Sequence, residues 1–454
     1  MDPKKRTELL GSQSLCRLLF RLSGPAITGM VVQSMYNLVD TIFVGKGVGT
    51  LALAALAVCF PVQMVLLGVG KTVGIGSASI ISRKLGAGKR KEAGRIAGGS
   101  FALAAVLGLT VSAAGLVFMK QVLELFGASA TIMPYGREYL STVLLSGPLF
   151  AVTVCSNDMA RSEGNARVAM ISMFMGAGVN IVLDPVFIFG LNMGIRGAAL
   201  ATVIGQTSSF IWITSYFFRG SRSNLEFGRR HILPGFRQSL RTLQIGSPAF
   251  ARIVGTSLMA LTVNNVIMHY GSEVYLAILG VINRITIFAM MPIFGLVQGL
   301  QPIIGYNYGA GNYRRVRRAM KLAITFATVL SSCYFLVFQL APTRVLSLFS
   351  SDPDVIGTGK DILRTMVLMM PVIGFQVIGA GTFQALGKAG KAFILSTSRQ
   401  ILFLIPLALL LPRIVSPHIR GLWFAFPSAD LLAAILTSYF FIREVGRMKR
   451  VSSK

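Results

Sequence analysis

Residues 33–45 read QSMYNLVDTIFVG and close the first long apolar run of the chain. Asp40 places a carboxylate inside sequence that otherwise has the composition of a membrane helix. Tyr36 and Asn37 precede it by four and three residues, so on a helix these polar groups share one face. A charge in hydrocarbon costs about 3 kcal/mol or more. The stretch therefore predicts a polar functional site within a helical membrane bundle, or else a structural carboxylate bonded to neighbouring helices.

The composition of the chain supports the membrane interpretation. Its 454 residues are 53% hydrophobic and only 13% charged, whereas a soluble domain has about 25% charged residues. The formal net charge of +28 would suggest a nucleic-acid partner in a soluble chain. Here the basic residues lie at the ends of apolar runs, which is typical of helices held at a cytoplasmic membrane face. We therefore expect a polytopic membrane protein in a lipid bilayer and no nucleic-acid partner.

Apolar segments of about 20 residues, long enough to cross a bilayer, recur twelve times; the fourth is predicted over Tyr139–Ser156. An even number of spans puts both termini on one side of the membrane. Most of the 44 Lys and Arg residues lie in the termini and in the connections on that same side. Both termini are therefore predicted to be cytoplasmic. Residues 1–21 are predicted to be a retained cytoplasmic tail, because no small-residue cleavage site follows the first apolar run.

Three short motifs recur at one constant offset and indicate a parallel internal repeat of two six-helix lobes. They are SGPA at 23–26 and GSPA at 246–249, LGAG at 85–88 and YGAG at 308–311, and EGNA at 163–166 and LGKA at 386–389. The predicted domains are an N-lobe with transmembrane helices 1–6, a basic cytoplasmic linker, and a C-lobe with helices 7–12, over residues 1–218, 219–242 and 243–454. Carriers with two such repeats place their substrate between the lobes.

The N-lobe contains a second set of polar residues inside apolar sequence. Asn180 and Asp184 are four residues apart, on one helical face, and Thr202 lies in the next span. At about 1.5 Å of rise per residue, Asp40, Asp184 and Thr202 all lie roughly 8–9 Å below the outer boundary. These groups could bind Na⁺ through oxygen ligands or share protons as adjacent carboxylates do. The alternative is that Asn180 and Thr202 only satisfy hydrogen bonds between helices.

Two further charged residues lie inside predicted spans. Lys71 is about 18 Å above the inner boundary, too deep to reach either face, so an internal partner is expected. It is predicted to be a counter-charge for Asp40 or Asp184 in one state of the transport cycle, or else a lysine that faces an aqueous cavity without a partner. Asp430 is interpreted as one member of an ion pair with Arg399 or Arg284; the alternative is a second cation site.

These motifs together resemble the multidrug and toxic compound extrusion (MATE) family, most of all its DinF/MepA-like prokaryotic branch. The resemblance implies a carrier that faces outward and inward in turn and expels organic cations in exchange for H⁺ or Na⁺. It assigns coupling to Asp40, Asn180, Asp184 and Thr202, and matches Pro25 to a proline in a first helix that bends. The stretches that carry it are 36–45, 81–88, 161–165, 180–185 and 299–310.

The resemblance also sets the remaining expectations. They are a non-enzymatic transporter without a cofactor beyond its coupling ion, small cationic drug-like substrates, a monomer, and a multi-pass location in the inner cell membrane. The alternative function is a flippase for a lipid-linked precursor from the same superfamily. Twelve spans and the paired aspartates favour the antiporter, whereas Lys71 and Arg284 leave room for the flippase. Coupling through the second lobe is not expected, because residues 362–386 contain no Asp or Glu.

Overall fold

A computed structural model describes residues 3–219, 223–225 and 235–452, apart from the side chain of Ser452. Within these ranges the secondary structure is helical, without strands. The helices of the first half are α1 (Pro3–Ser12), α2 (Leu15–Gly47), α3 (Thr50–Gly86), α4 (Arg90–Val117), α5 (Met119–Leu125), α6 (Met133–Leu145), α7 (Gly147–Ser162), α8 (Ala166–Pro185) and α9 (Gly194–Phe218). A π-helical turn, Val186–Gly190, extends α8 beyond Pro185.

The second half repeats this order. Its helices are α10 (Phe236–Tyr270), α11 (Glu273–Gly309), α12 (Tyr313–Leu340), α13 (Pro342–Ser347), α14 (Pro353–Met366), α15 (Met370–Ala385), α16 (Ala389–Thr397), α17 (Ile405–Ile414) and α18 (His418–Ser452). A π-helical segment, Ser398–Leu404, joins α16 to α17. The pairs α3 and α11, α4 and α12, and α7 and α15 have equal lengths of 37, 28 and 16 residues. The two helices of each pair begin at the same offset that separates the sequence motifs.

The described helices account for twelve membrane spans. Nine segments are long and apolar enough to cross a membrane, including the continuous stretch from α16 to α17. The pairs α6/α7 and α14/α15 each form one span that bends, by 55° and 54°. These make eleven spans by length and apolar composition, and the 25-residue helix α9 is long enough to be the twelfth. The predicted all-α polytopic architecture is therefore confirmed.

The turns between spans repeat as well. Gly88 and Gly311, equivalent positions in the two halves, have φ angles of +75° and +73°. This left-handed conformation is readily available only to glycine and ends α3 and α11 in the same way. Beyond the turns, α4 and α12 then begin at Arg90 and Tyr313.

The two halves pack through α2 and α3 on one side and α10 and α11 on the other. Backbones touch where glycines lie in these helices. A Cβ added to Gly76 would lie 2.0 Å from the Thr242 carbonyl oxygen, and one added to Gly86 would lie 1.9 Å from that of Tyr306. We call the end of the bundle that holds Gly86, Tyr306 and α1 the basic end. The halves are closely packed there.

The N-terminal segment is not a loose tail, because α1 packs against both halves at the basic end. Thr7 Oγ1 donates to the Glu163 carbonyl oxygen at 3.1 Å, and Asn307 Nδ2 donates to the Leu10 carbonyl oxygen at 2.8 Å. Leu10 is fully buried. This helix therefore connects the end of α7 in the first half to α11 in the second.

The predicted linker, residues 219–242, is only partly described. Residues 220–222 and 226–234 lie outside the described ranges, and α10 already begins at Phe236. Ser223 and Leu225 are buried. The exact boundaries of the linker and of the two lobes remain predictions.

Candidate functional site

Three helices of the first half bring the predicted coupling residues together. Asp40 lies in the second half of α2, Asn180 and Asp184 lie in the last turns of α8, and Thr202 lies early in α9. Both α2 and α9 pack against α8. The exposed fraction is 8% for Asp40, 4% for Thr202, 1% for Asn180 and 0% for Asp184. The polar residues thus form a buried cluster, which we call the N-half cluster.

Hydrogen bonds join the N-half cluster across α8 and α9. In the orientation that satisfies both neighbours, the Asn180 amide donates to Asp184 Oδ2 at 2.9 Å and accepts from the Thr202 backbone N–H at 3.1 Å. The carboxyl groups of Asp40 and Asp184 lie within hydrogen-bonding contact of each other. Asp40 Oδ1 is buried and has no hydrogen-bond partner among the described residues. That oxygen is available to a proton or a cation.

The chemistry of the N-half cluster follows from its charge. None of the ion pairs between described residues includes Asp40 or Asp184. Two carboxylates in contact cannot both remain ionised without a balancing charge, because like charges at short range in a low-dielectric site repel strongly. A proton on one carboxyl, or a cation held between them, removes the repulsion. The cluster can therefore exist in a loaded and an empty form.

Tyr36 and Asn37 have different surroundings in the structure. Tyr36 is half-buried and lies within hydrogen-bonding reach of Thr202 and close to both carboxylates. Asn37 is exposed, and its backbone carbonyl accepts a hydrogen bond from Thr41 Oγ1 at 2.8 Å. The structure therefore adds Tyr36 to the cluster and leaves Asn37 at its margin.

Lys71 has a partner that the sequence analysis did not consider. Its Nζ lies 3.1 and 3.3 Å from the two carboxylate oxygens of Asp158. Arg161 Nη2 also donates to Asp158 Oδ1. In this conformation Lys71 thus pairs with neither Asp40 nor Asp184, and the alternative of a lysine without a partner is wrong. A pairing of Lys71 with one of those two carboxylates in another state of the transport cycle stays a prediction. Asp158 is nearer because it lies on α7, which packs directly against α3.

Asp158 and Arg161 were missed because the predicted fourth span ended at Ser156. The structure continues α7 to Ser162, and Asp158 and Arg161 are each only 6% exposed. Their spacing of three residues places them on one helical face. That spacing, beside a predicted intramembrane lysine, is the signal that could have identified them.

Glu163 is a further buried acid that the sequence analysis used only as a motif residue. It follows α7 at the basic end, outside the membrane-spanning segments. Its carboxylate accepts hydrogen bonds from Ser223 Oγ at 2.9 and 3.0 Å and from the Asn224 backbone N–H at 2.6 Å. Burial raises the pKa of Glu163 from 4.5 to about 7, and the hydrogen bond from Asn224 and the charge of Arg6 oppose this rise.

Asp430 lies in a different environment from the N-half cluster. It is fully buried on α18 and pairs with Arg399, whose Nη2 lies 3.4 Å from Asp430 Oδ2. The interpretation of Asp430 as one member of an ion pair agrees with this geometry, with Arg399 as the partner instead of the exposed Arg284. Pro25 lies within α2, which continues through it as one helix.

Comparisons with known proteins agree with this architecture. The sequence matches the family MatE over residues 25–186 and again over 248–410. The two matched segments begin at Pro25 and Pro248, which are equivalent positions of the sequence repeat. The multidrug export protein MepA of Staphylococcus haemolyticus is 28% identical over 386 residues, 85% of each chain. MepA of Staphylococcus aureus strain MSSA476 is 27% identical over 384 residues, 84% of each chain.

Solved structures show the same fold. A MATE crystal structure in a bent conformation has a TM-score of 0.93 and 27% identity, and the alignment covers 99% of each chain. A MOP superfamily transporter from Pyrococcus furiosus, described by the reverse polarity of its binding pocket, has a TM-score of 0.91 and 27% identity, with 98% of this chain and 99% of that chain covered.

These relatives are multi-pass transporters and not enzymes, and the MepA proteins among them are named for multidrug export. The family match extends over both halves of the chain, and its first segment contains Tyr36, Asp40, Asn180 and Asp184 but ends before Thr202. This likeness is consistent with a multi-pass location in the cell membrane. The chain belongs to the MatE family of multidrug and toxic compound extrusion transporters.

Proposed function

We propose that this transporter expels organic, cationic, drug-like molecules in exchange for H⁺ or Na⁺, and that the N-half cluster binds the coupling ion. Asp40 and Asp184 supply the titratable or cation-binding charge. Asn180 and Thr202 supply neutral oxygens, and Tyr36 closes the cluster toward its exposed side. The observation that carries the proposal is the contact between two buried carboxyl groups without a basic partner among the described residues.

The cluster can drive transport if its loaded and empty forms favour different conformations of the helices around it. Loading neutralises the repulsion between Asp40 and Asp184, so α2 and α8 pack differently around a loaded and an empty site. An ion shifts a conformational equilibrium only by its differential affinity for the two states. Pro25 lies in α2, fifteen residues before Asp40, and is the point at which we expect that helix to bend, since proline removes one backbone hydrogen bond.

The substrate is proposed to bind between an N-lobe, residues 1–218, and a C-lobe, residues 243–454. We further propose that the protein acts as a monomer with both termini in the cytoplasm, so that the basic end faces inward. The close packing of the halves at that end then corresponds to a state that is closed toward the cytoplasm. The names of the MepA relatives support the choice of drugs as substrates.

The test is efflux of a fluorescent organic cation from proteoliposomes, with a pH gradient and a Na⁺ gradient imposed separately. We expect one gradient to drive efflux and the other to have no effect. Replacing Asp40 or Asp184 by Asn should abolish the driven component. Efflux that is equally fast without any gradient would overturn the coupling proposal, and transport of a lipid-linked precursor without drug efflux would favour the flippase.

A further inference from the structure

Two basic side chains lie on helices that pack against each other where the halves meet, Lys71 on α3 and Arg252 on α10. The Arg252 guanidinium lies over the ring of Phe294 on α11, 5.8 Å from its centroid. By the offset of the sequence repeat, Phe294 is the equivalent of Lys71 in the second half. Lys71, Arg252 and Phe294 thus come from three helices that line the interface, and we call them the interface patch.

Packing contacts confirm that the interface patch borders the space between the halves. One residue after Lys71, the backbone of Thr72 touches Gly246: a Cβ added to Gly246 would lie 1.8 Å from the Thr72 carbonyl oxygen. Gly68, three residues before Lys71, faces the ring of Phe250. Arg252 itself is exposed, and the Lys71 side chain is 27% exposed. Both cations are therefore accessible beside a tight contact between helices.

The charges around the interface patch do not balance. Asp158 is the acidic partner of both Lys71 and Arg161. Arg252 has the Phe294 ring beside it and takes part in none of the ion pairs between described residues. The charged side chains here are thus three cations and one anion. A cation at membrane depth is costly without a partner, so this surface favours an incoming negative group.

The donors of the interface patch suit such a group. A lysine ammonium has three N–H donors, and Asp158 occupies only one side of it. Arginine binds carboxylates and phosphates through two parallel N–H donors. The Phe294 ring offers an apolar surface to an aromatic body next to that group.

We propose that the interface patch is a subsite for an anionic group, a carboxylate or a phosphate, on an amphiphilic substrate. The substrates preferred by this transporter then carry a negative group in addition to their amine, as zwitterionic aromatic compounds do. This inference rests on the proposed function, because it specifies the substrate of the same exporter. It is independent of the identity of the coupling ion.

A matched pair of dyes tests the subsite. Rhodamine 110 carries a free carboxylate, and rhodamine 123 is its methyl ester, so the two differ only at that group. Binding to the purified full-length protein in detergent is measured by fluorescence anisotropy at pH 7. We expect the acid to bind about tenfold more tightly than the ester, which corresponds to about 1.4 kcal/mol. Arg252→Gln and Lys71→Gln should each remove most of this preference and leave ester binding unchanged.

Two further variants serve as controls. Arg252→Lys keeps the charge and should retain part of the preference for the acid. Lys360→Gln removes an exposed charge from α14 and should change nothing. Equal binding of acid and ester to the wild type would overturn the proposal, and so would an Arg252→Gln variant that loses both dyes equally.

The source of the anionic group is distinguished by competition. If a soluble carboxylate is the natural ligand, vesicles of phosphatidylglycerol added at equal lipid concentration should displace rhodamine 110 no better than phosphatidylcholine does. Stronger displacement by phosphatidylglycerol assigns the subsite to a lipid phosphate. Because no gradient is present, failure of ion coupling would leave these binding results unaffected, and the two proposals can fail separately.

Discussion

The two halves of the molecule share their helices but not their polar residues. Helices of equal length begin at one constant offset, and the turns between them repeat. At the positions equivalent to Asp40, Asn180 and Asp184, however, the second half has the apolar side chains Val263, Phe403 and Leu407. Further along, one extra residue in the second half makes the offset one larger, as RG at 196–197 and again at 420–421 shows, and Thr202 corresponds to Phe426. The repeat therefore duplicates the scaffold and leaves the cluster in one copy, in keeping with function residing in sites and not in folds.

The second half has its own buried carboxylate, but in a different electrostatic state. Asp430 pairs with Arg399, whereas the equivalent positions of the first half hold Gln206 and Gly176. A carboxylate with a cation beside it has no reason to take up a proton or a metal ion. Burial alone therefore does not distinguish a coupling site from a structural ion pair. The difference is whether a basic side chain already neutralises the buried carboxylate.

The largest effect is expected from removing the charge of the N-half cluster. Asp184→Asn and Asp40→Asn should each lower gradient-driven efflux to the background of empty liposomes, because the amide neither titrates nor binds a cation strongly. Asp361→Asn is the matched control, since its side chain is 72% exposed on α14. Efflux and expression are measured for all three variants. Efflux at the wild-type rate would remove that aspartate from the coupling site.

The ion pair of the second half should behave in the opposite way. Asp430→Asn leaves Arg399 without its anion and should destabilise the protein by about 3 kcal/mol, a typical cost of breaking a buried pair. Turnover per folded molecule should change little. The double variant Arg399→Met/Asp430→Leu should be more stable than Asp430→Asn, because no unpaired charge remains. Thermal unfolding in detergent gives the stabilities, and a loss of turnover without loss of stability would make Asp430 a second functional site.

The sequence was sufficient to predict the span count, the repeat and the members of the N-half cluster. Each of these depends on periodic or spaced features: apolar runs, motifs at one offset, and polar groups at one depth. The spacing of Asp158 and Arg161 could have marked them as candidates, but the contact between Asp158 and Lys71 could not be predicted in this way. The position of a residue along its helix gives its distance from the membrane face, but it does not give the neighbouring helix that its side chain contacts. In the structure α3 packs against α7, which carries Asp158.

The role of α1 was also beyond the sequence analysis. A short basic segment such as residues 3–12 reads as a solvated tail. In the structure Leu10 is buried, and Thr7 donates a hydrogen bond to the carbonyl oxygen of Glu163. These contacts form because the end of α7 and the end of α11 lie side by side at the basic end. Contacts of this kind depend on tertiary packing and leave no local pattern.

The two halves also differ at the basic end, where Glu163 of the first half corresponds to the apolar Leu386 of the second. The pKa of Glu163 is raised from 4.5 to about 7 by burial, so the folded protein holds this proton more tightly than the unfolded chain. Its ionisation therefore lowers stability as the pH rises from about 4.5 to about 7, by about 3 kcal/mol. Glu163→Gln should remove that part of the pH dependence.

The measurement is the apparent unfolding temperature in detergent between pH 4.5 and pH 8, for the wild type and Glu163→Gln. The two proteins should be similar near pH 4.5 and diverge toward pH 7, with the variant more stable. Parallel curves would mean that Glu163 does not titrate in this range in the folded protein.

The smallest effect is expected at a pair of equivalent prolines. Pro25 in α2 and Pro248 in α10 occupy the same position of the repeat, and each removes one backbone hydrogen bond from its helix. Only α2 continues to the N-half cluster. If that cluster bends its helix when it loads, Pro25→Ala should slow gradient-driven efflux several-fold, because the restored hydrogen bond favours the straight form. Pro248→Ala should leave the rate within about twofold, since the second half has no ion to load.

The measurement is the initial efflux rate from proteoliposomes that contain equal amounts of the wild type or of each variant. Slowing by Pro25→Ala alone would mean that only the first half bends during transport. Equal slowing by both substitutions would show that bending is a property of the scaffold and not of the half that holds the carboxylates.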